Sequence, residues 1–240
     1  MLRVNVIGTG SSGNCYLLSD YAGNTLILDC GIDLSKVKQA LNFDLSKIQG
    51  LFISHSHVDH AKYREHFERM GVEIMAPYDK AKIRENKKLG VFDIQAFQLP
   101  HGETVSYGAL IRHVQTKDTV LYLTDFEYSP YVFKACKVNH YMIECNYQKN
   151  LLDLDAPNKE HKILGHCSLD TCKEFLKLNQ TSEMQNVLLI HGGFTTCNPN
   201  ECIASIESTL PATVIVEWAY NGKQYDFQNG IPFYSTESEE

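Results

Sequence analysis

Ile53-Ser54-His55-Ser56-His57-Val58-Asp59-His60 places four potential metal ligands within a span of six residues. His55 and His57, two apart on an extended turn, can aim both imidazoles at one cation. Asp59 and His60 lie where a helix begins and are better placed for a second cation about 3.5–4 Å away. Neutral imidazoles together with a carboxylate suit zinc, manganese or iron rather than calcium.

The cluster is delivered by a short apolar run, Leu51-Phe-Ile-Ser54, and that arrangement recurs outward along the chain. Thr25–Leu28 runs into Asp29, Phe97–Pro100 into His101, Val120–Thr124 into Asp125, and Val187–Ile190 into His191. Each apolar strand anchors one potential ligand at its C-terminal end, where a rigid sheet edge holds metal chemistry to tight tolerance. Leu2–Ile7 alternates like an edge or half-buried strand, and Cys15–Leu18, Tyr141–Glu144 and Ala212–Val216 complete the strand set. Ser106–Val114 and Thr119–Leu123 read as a hairpin turned at Lys117-Asp118. Helical spacing covers Leu34–Leu41, Ala61–Met70, Tyr78–Lys87, Leu169–Leu178 and Asn200–Ser208, with Ser35 and Ser46 at turn or cap positions and Asp170 in a first turn. Strands in runs separated by helices predict an α/β fold of two sheets between helical layers.

At 240 residues and 43% hydrophobic, the chain can bury a full core. One domain over residues 1–234 is expected, followed by an acidic, frayed tail at 235–240. The start of the chain reads as a strand, not as a signal peptide, and no apolar run approaches the roughly 18 residues of a membrane helix. The eight cysteines are scattered and contain no Cys-x-x-Cys pair. They read as reduced and mostly buried, which points to the cytoplasm and away from a zinc knuckle. The net charge of −7 argues mildly against a large basic surface for nucleic acid, although two divalent cations would place about four positive charges at the site itself.

His55-x-His57-x-Asp59-His60, with Asp29, His101, Asp125 and His191 in that order around it, resembles the signature of the metallo-β-lactamase superfamily. The resemblance implies an αββα sandwich of two mixed sheets flanked by helices, with a two-metal site. His55, His57 and His101 would hold one ion, Asp59, His60 and His191 the other, and Asp125 both. Asp29 would orient ligands through hydrogen bonds. Gly10-Ser-Ser-Gly-Asn14, Leu121–Asp125, Glu144-Cys-Asn146 and Gly165-His-Cys-Ser168 further resemble the YycJ/WalJ-type, exonuclease-like branch, which is related to the β-CASP nucleases. Ser12, Asn14, Asn146 and Ser168 are the substrate contacts this implies. The chain departs from the branch at Gly102, Phe126-Glu127 and Gly192-Gly193, next to ligands where other residues are usual.

The expected chemistry is phosphodiester hydrolysis by a hydroxide held between two divalent ions, zinc or manganese, with Asp59 orienting it. DNA is the expected substrate, attacked from a 5′ end; a small-molecule hydrolase of the same fold, acting on a cyclic nucleotide, lactone or thioester, is the alternative. His166, in a Gly-His-x-Ser turn that opens a helix, is expected to meet phosphate or the leaving group. His66, His113, His140 and His161 are expected at the surface or in packing. No membrane partner is implied, and a homodimer stays open.

Overall fold

The computed structural model of the chain describes residues 2–80, 83–153, 155, 159–193 and 195–227; the expected acidic tail lies outside them. In chain order the elements are β1 (Leu2–Gly8), β2 (Cys15–Asp20), β3 (Thr25–Leu28), α1 (Leu34–Ala40), β4 (Ile48–Phe52), α2 (Val58–Ala61), α3 (Arg64–Arg69) and β5 (Ile74–Met75). They continue with β6 (Arg84–Leu89), β7 (Phe92–His101), β8 (Thr104–His113), β9 (Thr119–Leu123), β10 (His140–Glu144), α4 (Lys159–Gly165) and α5 (Leu169–Asn179). β11 (Asn186–Ile190), α6 (Pro199–Glu207), β12 (Ile215–Trp218) and β13 (Gln224–Phe227) complete them.

The strands form two mixed sheets, ordered β13-β1-β2-β3-β4-β5 and β12-β11-β10-β9-β8-β7-β6. Three apolar clusters make the layering. One lies between the sheets, where Leu2, Val4 and Leu26 of the first meet Tyr107, Tyr122 and Leu188 of the second. A second packs Val37 of α1 and Phe67 of α3 on the outer face of the first sheet. The third packs Phe175 and Leu176 of α5, with Cys202 and Ile206 of α6, on the outer face of the second. This is the expected αββα sandwich.

The topology explains why ligands gather at one rim. β3 and β4 are parallel, as are β9, β10 and β11. β7 and β9 are each antiparallel to β8 and therefore share a direction. The C-terminal ends of all six strands thus face one edge of the sandwich.

Several expectations need correction. β1 is the half-buried strand of the two readings, alternating buried and partly buried residues, and not an edge, because β13 pairs with it from Leu2↔Phe227 to Asn5↔Gln224. The segment expected as helix Tyr78–Lys87 forms a short 3-10 turn at Pro77–Lys80 and then β6. β6 pairs with β7 alone, so its polar side chains face solvent and leave no apolar period to read. The helix expected at Ala61–Met70 is broken into α2 and α3. The Tyr63 N–H there donates to Cys30 O at 3.0 Å, tying the break to the end of β3. At Ser35 and Ser46, expected at turn or cap positions, the aspartates do the accepting: Asp33 takes the Ser35 N–H and Asp44 the Ser46 N–H and hydroxyl. No described helix is long and apolar enough to cross a membrane.

Candidate metal centre

The rim collects the seven expected ligands into two groups. His55, His57, His101 and Asp125 have ligand atoms within 4.8 Å of one another, and so do Asp59, His60, Asp125 and His191. Asp125 belongs to both. Its Oδ2 lies 3.8 Å from His55 Nε2 and from His101 Nε2, while its Oδ1 lies 3.3 Å from His60 Nε2. A carboxylate so placed faces one group with each oxygen. Asp59 is the most exposed member of its group, with its side chain 26% accessible, and so faces the opening.

Local backbone geometry aims these groups. Asp29, Asp125 and His191 each leave their strand with positive φ, at 59°, 45° and 51°, a region that non-glycine residues rarely occupy. The chain turns sharply there and presents the side chain at the rim. Beneath Asp59, Gly31 makes room: a Cβ at that position would stand 1.7 Å from the Asp59 carbonyl oxygen.

Hydrogen bonds behind the ligands fix their ring tautomers. The Asp29 carboxylate is buried and meets four donors: Ser54 N–H at 2.7 Å, Ser54 Oγ at 3.0 Å, Tyr122 OH at 2.6 Å and His60 Nδ1 at 2.7 Å. His101 Nδ1 pairs with the Gly165 carbonyl. An acceptor on Nδ1 keeps the proton there and leaves Nε2 a lone pair for a cation. His55 Nε2 and His191 Nε2 are both buried without a hydrogen-bond partner. Orphaned imidazole nitrogens facing carboxylates fit a divalent cation, which would be held by the two groups just described.

Glu144, outside the expected site set, is a main organiser of the rim. It ends β10 and is fully buried. Its Oε1 meets His166 Nδ1 at 2.7 Å and His191 Nδ1 at 2.8 Å, and its Oε2 accepts from the Phe126 N–H at 3.0 Å and the Cys167 N–H at 3.1 Å. Burial opposes its ionisation, but the two imidazoles outweigh burial and hold the carboxyl below its usual range. The signal was available: Tyr141–Glu144 is one more apolar strand ending in a ligand-type residue. Tyr122, whose hydroxyl orients Asp29, carries no comparable signal, since it reads as one core residue of β9.

The expected substrate contacts divide. Ser12 is exposed at the loop tip. Asn14 is fully buried, and its amide bridges Gly10 to His60 Nε2 at 2.9 Å, so it positions loop and ligand rather than meeting substrate. Asn146 donates to His191 O at 2.9 Å and ties down that turn. Ser168 is the N-cap of α5, its Oγ accepting from Thr171 N–H at 3.1 Å; a capping hydroxyl that is 2% exposed is not a substrate contact. His166 stacks on His191 with centroids 5.3 Å apart. It also belongs to a further compact group with Asp125, Glu144 and His191. Of the remaining histidines, His113 is buried against Asp20 and His140 against Asn186, both in packing.

The family model of the metallo-β-lactamase superfamily matches residues 8–62, from the glycine-rich loop through the His55–His60 cluster. An anti-Pycsar protein, Apyc1, from Bacillus phage 010DV004 is 32% identical over 85 residues, which are 33% of this chain and 30% of that protein. The match therefore spans under a third of that relative's length. Among solved structures, the metallo-β-lactamase fold protein YhfI from Bacillus subtilis superposes with a TM-score of 0.66 at 17% identity, covering 93% of this chain and 98% of that one. The short form of human tRNase Z gives 0.60 at 16% identity, covering 94% and 99%. At such identities the likeness is one of fold. The chain has the metallo-β-lactamase fold.

Proposed function

We propose that this chain, carrying the metallo-β-lactamase fold, is a metal-dependent hydrolase that cleaves phosphodiesters, and that its substrate is DNA taken from a 5′ end. The observation that carries the hydrolase reading is the pair of ligand groups sharing Asp125 at one rim, with orphaned imidazole nitrogens turned inward. Two divalent cations, zinc or manganese, would supply a water nucleophile at neutral pH and charge neutralisation at the phosphoryl oxygens. The residues of the chain do the rest. Asp125 fixes the spacing of the two groups, and Asp59, the most exposed ligand of its group, orients the attacking oxygen. His166, held through Nδ1 by Glu144, turns its other nitrogen towards the leaving oxygen. The likeness to tRNase Z supports phosphoryl chemistry on this fold, and the resemblance of the Gly10–Asn14 loop to the YycJ/WalJ-type branch supports a polymer end.

One observation favours a small nucleotide instead. Arg64, Arg69 and Arg112 are each engaged by carboxylates, Arg84 lies over the Tyr131 ring, and the chain is acidic. A polymer would have to be held mainly by lysines, with few free guanidinium groups. Chelated protein reconstituted with zinc or manganese, given end-labelled DNA and a panel of cyclic nucleotides, separates the readings. Release of nucleotides from a DNA end, weakening steeply with salt, is the result expected. Inertness towards DNA with rapid turnover of a cyclic nucleotide would transfer the assignment to a small-molecule phosphodiesterase, and inertness towards both would remove phosphodiesters altogether.

A further inference from the structure

A second ligand cluster lies behind the rim, built from thiols. Cys145 directly follows β10, Cys197 sits in the turn after His191, and Cys202 is in the first turns of α6; their Sγ atoms lie within 4.8 Å of one another. The sequence hides this, because the three cysteines are 52 and 5 residues apart along the chain. Cys145 and Cys202 are buried and Cys197 is partly open. The Cys197 thiol donates to Cys145 O at 3.3 Å, and the Cys202 thiol reaches Gln148 Oε1 at 3.6 Å. A fourth thiol, Cys172 of α5, is buried against Cys145.

We propose that these thiols form a structural site for a thiophilic divalent cation of the zinc class, separate from the rim. Tetrahedral zinc with sulfur at about 2.3 Å sets its thiolates roughly 3.8 Å apart, so the three sulfurs need to close by no more than about 1 Å. Cys172, buried beside Cys145, is the candidate for the fourth position. Binding releases the thiol protons to solvent as the thiolates form. Four thiols gathered from β10, the His191 turn, α5 and α6 exceed what one disulfide can use. Cys197, the partly open member, gives the entry path.

The cation would clamp the turn that carries His191. The Gly193 N–H already donates to Asn146 O at 2.9 Å and the Cys197 N–H to Gly193 O at 3.1 Å. A bond from Cys197 to Cys145 through the metal would lock that turn onto the end of β10.

Cobalt(II) tests this in the full, reduced chain, because thiolate-to-cobalt charge transfer absorbs in the near ultraviolet and the imidazole and carboxylate rim has no sulfur. The expected result is a charge-transfer band on titration that is lost in Cys197→Ser and Cys202→Ser and kept in Cys136→Ser, an exposed cysteine elsewhere. Should a serine variant fail to fold, the wild-type chain still decides: zinc should slow alkylation of Cys197 by about tenfold or more while leaving Cys136 unaffected. Absence of the band, a band indifferent to both substitutions, zinc-insensitive alkylation of Cys197, or a Cys145–Cys197 disulfide in the protein as isolated would each overturn the proposal.

Discussion

Glu144→Gln isolates what one buried carboxylate does for the metal centre. The wild-type side chain meets two imidazole Nδ1 atoms on Oε1 and two backbone N–H groups on Oε2. A carboxylate accepts at both oxygens, whereas an amide accepts at one and donates at the other. If the glutamine oxygen keeps Phe126 and Cys167, its NH2 faces His166 and His191. Their Nδ1 atoms must then accept, which moves the His191 proton to Nε2, the nitrogen that lacks a partner and faces Asp59. A protonated nitrogen cannot ligate. Losing such an orienting partner typically weakens metal affinity by about 10–100-fold, or about 1.4–2.7 kcal/mol at the cation shared by Asp59, His60 and His191. Zinc titration by calorimetry after chelation should show the event at Asp59, His60 and His191 weakened and the event at His55, His57 and His101 near its original affinity. Activity should fall with occupancy and recover in part at high metal. Unchanged affinity at both rim groups in a folded Glu144→Gln protein would refute the tautomer reasoning.

Asp59→Ala should lose one rim cation selectively, because its carboxylate serves one group only, with elemental analysis falling by one ion per chain; loss of both rim ions would mean the groups are not independent. His166→Ala should keep metal content and folding yet lose about 10²–10⁴-fold in rate, the range for a general acid, and a substrate with a good leaving group should recover much of it. Wild-type rate in that variant would return His166 to packing. His140 predicts an acid sensitivity. Its Nδ1 bonds Asn186 Oδ1 at 2.9 Å, its Nε2 has no partner, and its ring stacks on Phe227. Burial pushes its pKa down from 6.5 to about 4. The unfolded chain therefore binds a proton first as pH falls, so this contribution is complete above about pH 6.5 and is lost on the way down to about pH 4. At about 1.4 kcal/mol per unit the loss is about 3 kcal/mol. Denaturant melts of wild type and His140→Gln across that window should converge as pH falls, and parallel curves would refute the assignment.

The rim was legible because it obeys one rule, an apolar strand ending in a ligand, which involves only local order along the chain. Five strands read that way supplied Asp29, His55, His101, Asp125 and His191, and the same rule applied to Tyr141–Glu144 would have supplied Glu144. What sequence could not give was direction of burial. Asn14 and Ser168 have the chemistry of substrate contacts, but their surroundings consume it in a loop bridge and a helix cap. β6 was read as helix because an edge strand exposed on its polar side chains has no apolar alternation. β13 is short but does alternate, with Tyr225 and Phe227 buried, and its omission is what left an edge open as one reading of β1. α4 lies in a segment where polar residues leave no clear face. The thiol cluster depends wholly on long-range packing, which no spacing rule reports.

The left-handed backbone at Asp29, Asp125 and His191 bears on how this protein can age in evolution. Strained non-glycine residues of this kind cost of order 1–3 kcal/mol each, a sizeable share of the roughly 5–15 kcal/mol that keeps a domain folded. A lineage relieved of its chemistry would relieve that backbone strain by drifting to glycine at positions 125 and 191, once no cation needs those side chains. Descendants that keep aspartate and histidine there are holding an unfavourable backbone against that drift, so those two positions act as a record of whether the rim is still in use.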